Sequence, residues 1–157
     1  MKTLIVDNYD SFTFNLLQLV AGIDGERPVV VQNDAVTWEQ ILALNPQSII
    51  LSPGPGRPDN DRDFGICREI ILRSSVPVLG VCLGFQGIAH YFGGTIERAP
   101  EPVHGRSSRI FHDGNGLFAG IPQGFSAVRY HSLTVRSPIP RSLRTTAWTS
   151  DELPMAL

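Results

Sequence analysis

Short runs of β-branched and aliphatic residues recur along the first half of the chain and alternate with segments of helical period. Leu4-Ile5-Val6, Val29-Val30-Val31, Ile49-Ile50-Leu51 and Val76–Val81 read as strands that are apolar throughout rather than on alternate positions. Between them, Phe12 to about Ala21, Trp38–Leu44, Asp63–Arg73 and Phe85–Phe92 place apolar residues at helical spacing. Continuous apolar strands separated by helices predict an open, mostly parallel α/β sheet with helices on both faces, a flavodoxin-like core. From Gly94 onward the pattern changes. Short strand-like runs (Thr95–Glu97, Arg109–Phe111, Phe125–Tyr130, Leu133–Arg136, Leu143–Trp148) are separated by Gly and Pro, which predicts a smaller antiparallel β part in the second half. With no linker, repeat or low-complexity stretch, residues 1–157 are expected to form one domain.

In open α/β sheets ligands sit beyond the carboxyl ends of the strands. Three loops occupy such places: Asp7–Ser11 after the first strand, Ser52–Asp59 after the third, and Cys82–Gln86 after the fourth. Gly80-Val81-Cys82-Leu83-Gly84 is the cysteine counterpart of a G-x-S-x-G nucleophile elbow, a sharp strand-to-helix turn that lifts the nucleophile out of the sheet. The glycines relieve crowding at the turn, the helix start favours a thiolate, and the Leu83 N–H faces a developing oxyanion. A core cysteine beside packing glycines would show the same five residues. Ser52-Pro53-Gly54-Pro55-Gly56 fixes an unusual backbone path and strips away side chains, so that the Gly56 N–H offers a second oxyanion donor. A tight turn without function would also read this way. It lacks the Lys-Ser/Thr ending of a phosphate loop.

Composition narrows the classes. Apolar residues are 42% and charged residues 18% of the chain, and the net charge of -2 carries no basic run, so neither nucleic acid nor an anionic membrane is an expected partner. The apolar run at the N-terminus ends at Asp7, too short for a signal core or a membrane span, and a cytoplasmic location is the expectation. Cys67 and Cys82 are the only cysteines. Cys67, among apolar helix residues, reads as inert core, and no Cys/His spacing suggests a metal site. No cofactor is expected.

Taken in order, Asp7–Leu16, the Ser52–Pro58 loop, Gly80–Gln86, Val103–Ser108 with His112-Asp113-Gly114, and Arg129-Tyr130-His131-Ser132-Leu133 resemble the class I (triad) glutamine amidotransferases. The closer resemblance is to the subgroup serving anthranilate synthase and aminodeoxychorismate synthase. It implies that Cys82 is the nucleophile toward L-glutamine and that Gly56 and Leu83 form the oxyanion hole. It also implies that Gly54, Pro55, Gly56, Gln86, Ser132 and Leu133 bind the substrate. The implied reaction releases ammonia through a cysteine thioester to a chorismate-binding synthase, as a separate subunit or a fused domain.

That family also carries a histidine and a glutamate in a Gln-Phe-His-Pro-Glu-Ser-like segment near its C-terminus. This sequence has none, and its last residues resemble the strand just upstream of that segment. The expectation is a domain truncated at its C-terminus and without turnover. His131 is the nearest candidate for a substitute base; His90 reads as a helix-face residue and His112 as a surface residue. Asp10 and Ser11 are expected to cap the first helix, and Trp38 and Trp148 to pack in the core or at an edge. The alternative function is a non-catalytic amidotransferase-like module that binds and regulates a synthase. The missing histidine and glutamate favour it, and the intact Cys82, Gln86 and Pro-Gly loop weigh against it.

Overall fold

A computed structural model describes residues 2–157. The chain forms two compact units, Met1–Tyr91 and Phe92–Leu157. The first unit contains β1 (Thr3–Asp7), α1 (Thr13–Asp24), β2 (Val29–Gln32), α2 (Trp38–Leu44), β3 (Ser48–Leu51), α3 (Asp61–Phe64), α4 (Cys67–Arg73), β4 (Val78–Gly80) and α5 (Leu83–Tyr91). Its four strands are all parallel, in the order β2-β1-β3-β4. This is the doubly wound arrangement the apolar runs predict. The strand order reverses between β1 and β3, so the crevice of the switch point lies where the loops after those two strands diverge.

Burial follows from the pleat. Leu4, Val6, Ile49 and Leu51 face one side, with Trp38, Ile41, Phe64, Cys67, Ile70 and Leu83 from the helices packed against them. Ile5 and Ile50 face the other side, under Leu17 of α1. Both faces of the central strands are covered, which is why Leu4–Val6 and Ile49–Leu51 are apolar at every position. Trp38 is core, with the Arg73 guanidinium 4.8 Å from its ring centroid.

Two boundaries differ from expectation. The predicted helix over Asp63–Arg73 is two helices, broken at Gly65, which has φ +45°. A side chain at Gly65 would meet the Asn33 carbonyl oxygen at 2.2 Å, and the Ile66 N–H donates to that same oxygen at 2.8 Å. The chain leaves the helix to make this tertiary contact, which periodicity does not report. At α1, Asp10 does not cap in the expected way. Its carboxylate accepts the Phe12 N–H at 2.8 Å in a turn ahead of the helix, which begins at Thr13.

The second unit contains β5 (Ile96–His112), a 3-10 turn at Gly116–Phe118, β6 (Phe125–Val135), β7 (Ala147–Thr149) and β8 (Pro154–Ala156). They form an antiparallel sheet in the order β6-β5-β7-β8. Four of the predicted short strands merge into two long ones. The interruptions seen in the sequence are register shifts between β5 and β6, at Arg98/Val103 and His104/Arg106, rather than chain reversals. His112 is buried, not at the surface. Its ring stacks on Phe118 at 5.0 Å between centroids, and its Nδ1 accepts the Gly114 N–H at 3.1 Å.

Candidate active site

Cys82 lies between β4 and α5 with φ +51°, a left-handed conformation that a non-glycine residue adopts at a cost of about 1–2 kcal/mol. Neighbouring hydrogen bonds hold it there. The Val81 N–H donates to the Leu51 carbonyl at 2.9 Å, Gly84 N–H to Val81 O at 3.0 Å, and Gln86 N–H to Cys82 O at 2.9 Å. The two glycines of the elbow serve close approach. A Cβ on Gly80 would stand 2.4 Å from the Gly84 carbonyl carbon, and one on Gly84 would stand 2.4 Å from the Leu51 oxygen. The turn is therefore packed backbone to backbone, first against its own helix and then against β3.

The Ser52–Gly56 loop is seated on the elbow. A Cβ on Gly54 would lie 2.5 Å from Asn8 Cβ and 2.9 Å from Leu83 Cδ2, so the loop backbone runs against both the first loop and the residue after the nucleophile. A buried polar network fixes this seat. The Asn8 N–H donates to Ser52 Oγ at 2.9 Å and Asn8 Nδ2 donates to the Ser52 carbonyl at 2.8 Å. Asn33 Nδ2 donates to Asn8 Oδ1 at 2.9 Å and to the Asp63 carbonyl at 2.8 Å. Asn8 and Asn33 are 1% and 2% exposed, so these bonds form away from water and tie together the loops after β1, β2 and β3. In the sequence Asn8 stands out only as part of a motif, and Asn33 does not stand out at all. Their one legible signal is an asparagine one residue past the end of an apolar strand in both cases. Asp7, at the end of β1, accepts the Thr13 hydroxyl at 2.6 Å and the Asp10 N–H at 3.2 Å, which fixes the start of α1.

Burial pushes the Cys82 thiol above its ordinary range. The Leu83 backbone N–H opposes this, and the Asp10 carboxylate adds to it. The expectation that the helix start favours a thiolate is outweighed: desolvation of the charged sulfur is the larger effect. Cys67 behaves as expected of core. It is fully buried, donates to Asn8 Oδ1 at 3.2 Å, and burial pushes its thiol up to about 12.

Gln86 is buried on α5, one turn after Cys82. The first unit thus brings Cys82, Leu83, Gly54 and Gln86 onto one elbow and its adjoining loop, with Gly56 two residues further along that loop at φ +89°. Ser132 and Leu133 lie on β6 of the second unit. There the Ser132 hydroxyl is 2.9 Å from His104 Nε2, and the Leu133 carbonyl is 2.9 Å from His131 Nδ1.

His131 is engaged at both ring nitrogens. Nδ1 donates to the Leu133 carbonyl, and Nε2 accepts from Arg129 Nε at 2.9 Å. Burial, ahead of the Arg129 and His104 charges, pushes its pKa below the ordinary histidine value. A base needs a lone pair directed at its substrate, and the Arg129 guanidinium takes the one His131 has. The stability consequence has a definite sign. A histidine held neutral in the fold is protonated first in the unfolded chain, so stability falls as pH drops below about 6.5. His131→Gln is expected to flatten the pH dependence of urea unfolding midpoints between about pH 6.5 and 5. An unchanged slope would rule out His131 as its source.

The fold and the elbow define a class. The sequence model of the class I glutamine amidotransferases matches residues 4–157, and the chain belongs to that family. It is 50% identical over 157 residues to an aminodeoxychorismate synthase of Streptomyces griseus, covering 100% of this chain and 22% of that protein. It is 48% identical over 162 residues to anthranilate synthase component 2 of Methanothermobacter thermautotrophicus, covering 98% of this chain and 82% of that one. The chain spans only about a fifth of the length of the Streptomyces protein. Among solved structures, a glutamine amidotransferase from Thermotoga maritima shares the fold with TM-score 0.81 at 14% identity, over 98% of this chain and 69% of that one. A glutamine amidotransferase from Methylobacillus flagellatus does so with TM-score 0.67 at 18% identity, over 95% of this chain and 61% of that one. No helix among the described residues is long and apolar enough to cross a membrane.

Proposed function

We propose that the chain serves as a cytoplasmic glutaminase in which Cys82 attacks the side-chain amide of L-glutamine. The observation that carries this is the strained Cys82 elbow, with φ +51°, against which the Gly54 loop is packed at Leu83. The sulfur bonds to the amide carbon and the C=O pair moves onto oxygen. The N–H groups of Gly56 and Leu83 receive that charge. The C–N bond then breaks, the proton given up by the thiol goes to the leaving nitrogen, and ammonia departs from a glutamyl thioester. Water cleaves the thioester to glutamate and restores the thiol. Within the first unit, Gly54, Pro55 and Gln86 hold the amino-acid part of the substrate. Relatives named for both aminodeoxychorismate and anthranilate synthesis match at 50% and 48% identity, so the acceptor in this proposal is a chorismate-binding synthase subunit or fused domain.

The test is labelling with a chloroketone analogue of glutamine. Modification at Cys82 alone, slowed by glutamine and absent in Cys82→Ser, is the expected result. Labelling indifferent to glutamine would overturn the reading. Because the thiol is held high, the labelling rate is expected to rise about tenfold per pH unit from pH 7 to 8.5. A flat profile would show a thiolate already formed at neutral pH.

A second reading, a regulatory module without turnover, is favoured by one observation: Arg129 Nε takes the Nε2 lone pair of His131 at 2.9 Å. Glutamine binding to the Cys82→Ser chain, measured by calorimetry, separates the two. A module freed from catalysis has no need of the pocket and would show none.

A further inference from the structure

We propose that Asp63 is the positioning residue that sets the oxyanion donor at Gly56, an inference that rests on the glutaminase reading above. Gly56 has φ +89°. A Cβ built there would fall 2.2 Å from Asp63 Oδ2 and 2.3 Å from its Cγ, so the carboxylate fills the place a side chain would take. The same Oδ2 accepts the Arg57 N–H at 3.0 Å and Asn60 Nδ2 at 3.0 Å. The Gly56–Arg57 peptide is thereby held at its N–H end by Asp63, while the ring of Pro55 fixes the φ of the residue before Gly56. The rotations that remain are Pro55 ψ and Gly56 φ and ψ, and together they decide where the Gly56 N–H points.

Glycine populates positive and negative φ about equally, so it does not hold this angle by itself. Asp63 does so from a fixed base. Its own N–H donates to the Asn60 carbonyl at 2.9 Å, and its carbonyl accepts from the buried Asn33, the residue that also holds Asn8 and, through it, Ser52. Both ends of the Ser52–Arg57 loop therefore hang on one hydrogen-bonded frame, Asn8 at Ser52 and Asp63 at Arg57. An oxyanion donor acts only when it is placed before charge develops. Asp63 touches no reacting atom in this scheme; it orients the peptide that does.

The experiment uses the whole chain and the glutamine-like chloroketone. In that reaction the Cys82 thiol gives its proton to solvent and its sulfur adds to the ketone carbon, making an oxyanion; the sulfur then shifts to the chloromethyl carbon as chloride leaves and the carbonyl re-forms, which leaves a thioether. The limiting labelling rate therefore reports the oxyanion hole, and the half-saturating concentration reports binding. Asp63→Ala is expected to lower the limiting rate by roughly 10- to 100-fold with less than about a threefold change in half-saturation. Asp63→Asn keeps an oxygen acceptor where Oδ2 stands and is expected to recover most of the rate. Asp63→Ser, too short to reach the Arg57 N–H, replaces the alanine variant if that chain does not fold. A limiting rate unchanged in the Ala or Ser variant, or an Asn variant as slow as they are, would overturn the proposal. If the unsubstituted chain shows no glutamine-protected labelling, the glutaminase reading fails and the Asp63 role falls with it. Normal labelling of the unsubstituted chain with an indifferent Asp63 removes the Asp63 role alone.

Discussion

These 157 residues, assayed by themselves, are expected to release ammonia from glutamine roughly four to six orders of magnitude more slowly than the same chemistry with a base beside the thiol. The physical reason is proton transfer. A thiol held above its ordinary range needs a base beside it, and the departing nitrogen needs an acid. Four histidines are present, and among the described residues no carboxylate is hydrogen-bonded to any of their rings. His90 follows Cys82 by eight residues, about 12 Å along a helix, beyond hydrogen-bond reach. His131 spends its lone pair on Arg129, and His112 spends its own on the Gly114 N–H inside a stack with Phe118. His104 shares a hydrogen bond with Ser132 at the surface. A coupled assay that converts released glutamate to a change in reduced nicotinamide absorbance measures the rate directly. Ordinary turnover that disappears in Cys82→Ser would show that one of these histidines serves as the base.

The second large effect is structural. Gly84→Ala is expected to destabilise the chain by roughly 2–3 kcal/mol, a sizeable share of an ordinary domain's stability. The added methyl would sit 2.4 Å from the Leu51 oxygen and 2.7 Å from Leu51 Cβ. Leu51 cannot yield, since it ends the central strand β3, is fully buried, and its carbonyl accepts the Val81 N–H that shapes the elbow. The shift in melting temperature should be on the order of 10 °C. Gly22→Ala is the control: it lies within α1 with open space around it, and the change should be neutral or stabilising by up to about 1 kcal/mol. Equal melting temperatures for the two variants would mean that the elbow is not packed as described.

Much of the first unit was legible without coordinates because burial on both faces leaves a mark at every strand position. Leu4–Val6 and Ile49–Leu51 are apolar throughout, and that property alone called for a parallel sheet. Cys82 and the Gly54–Gly56 loop were legible because a sharp turn and a close backbone approach each demand glycine. The break at Gly65, the single long strands β5 and β6, and the burial of His112 were not legible. Each is decided by a partner distant in sequence: the Asn33 carbonyl, the register between two strands, and the Phe118 ring.

By itself, then, the sequence determined the sheet class, the three loops at the strand ends, and the residue types with the chemistry to attack an amide. Those follow from local period and from steric requirements that only glycine and proline meet. Tertiary structure alone decided that the Cys82 thiol is pushed up rather than down, that Arg129 silences His131, and that Asn8, Asn33 and Asp63 form the frame on which the Pro-Gly loop hangs. Desolvation and hydrogen bonding between segments far apart in the chain have no period to read. They exist only once the strands have brought those segments together.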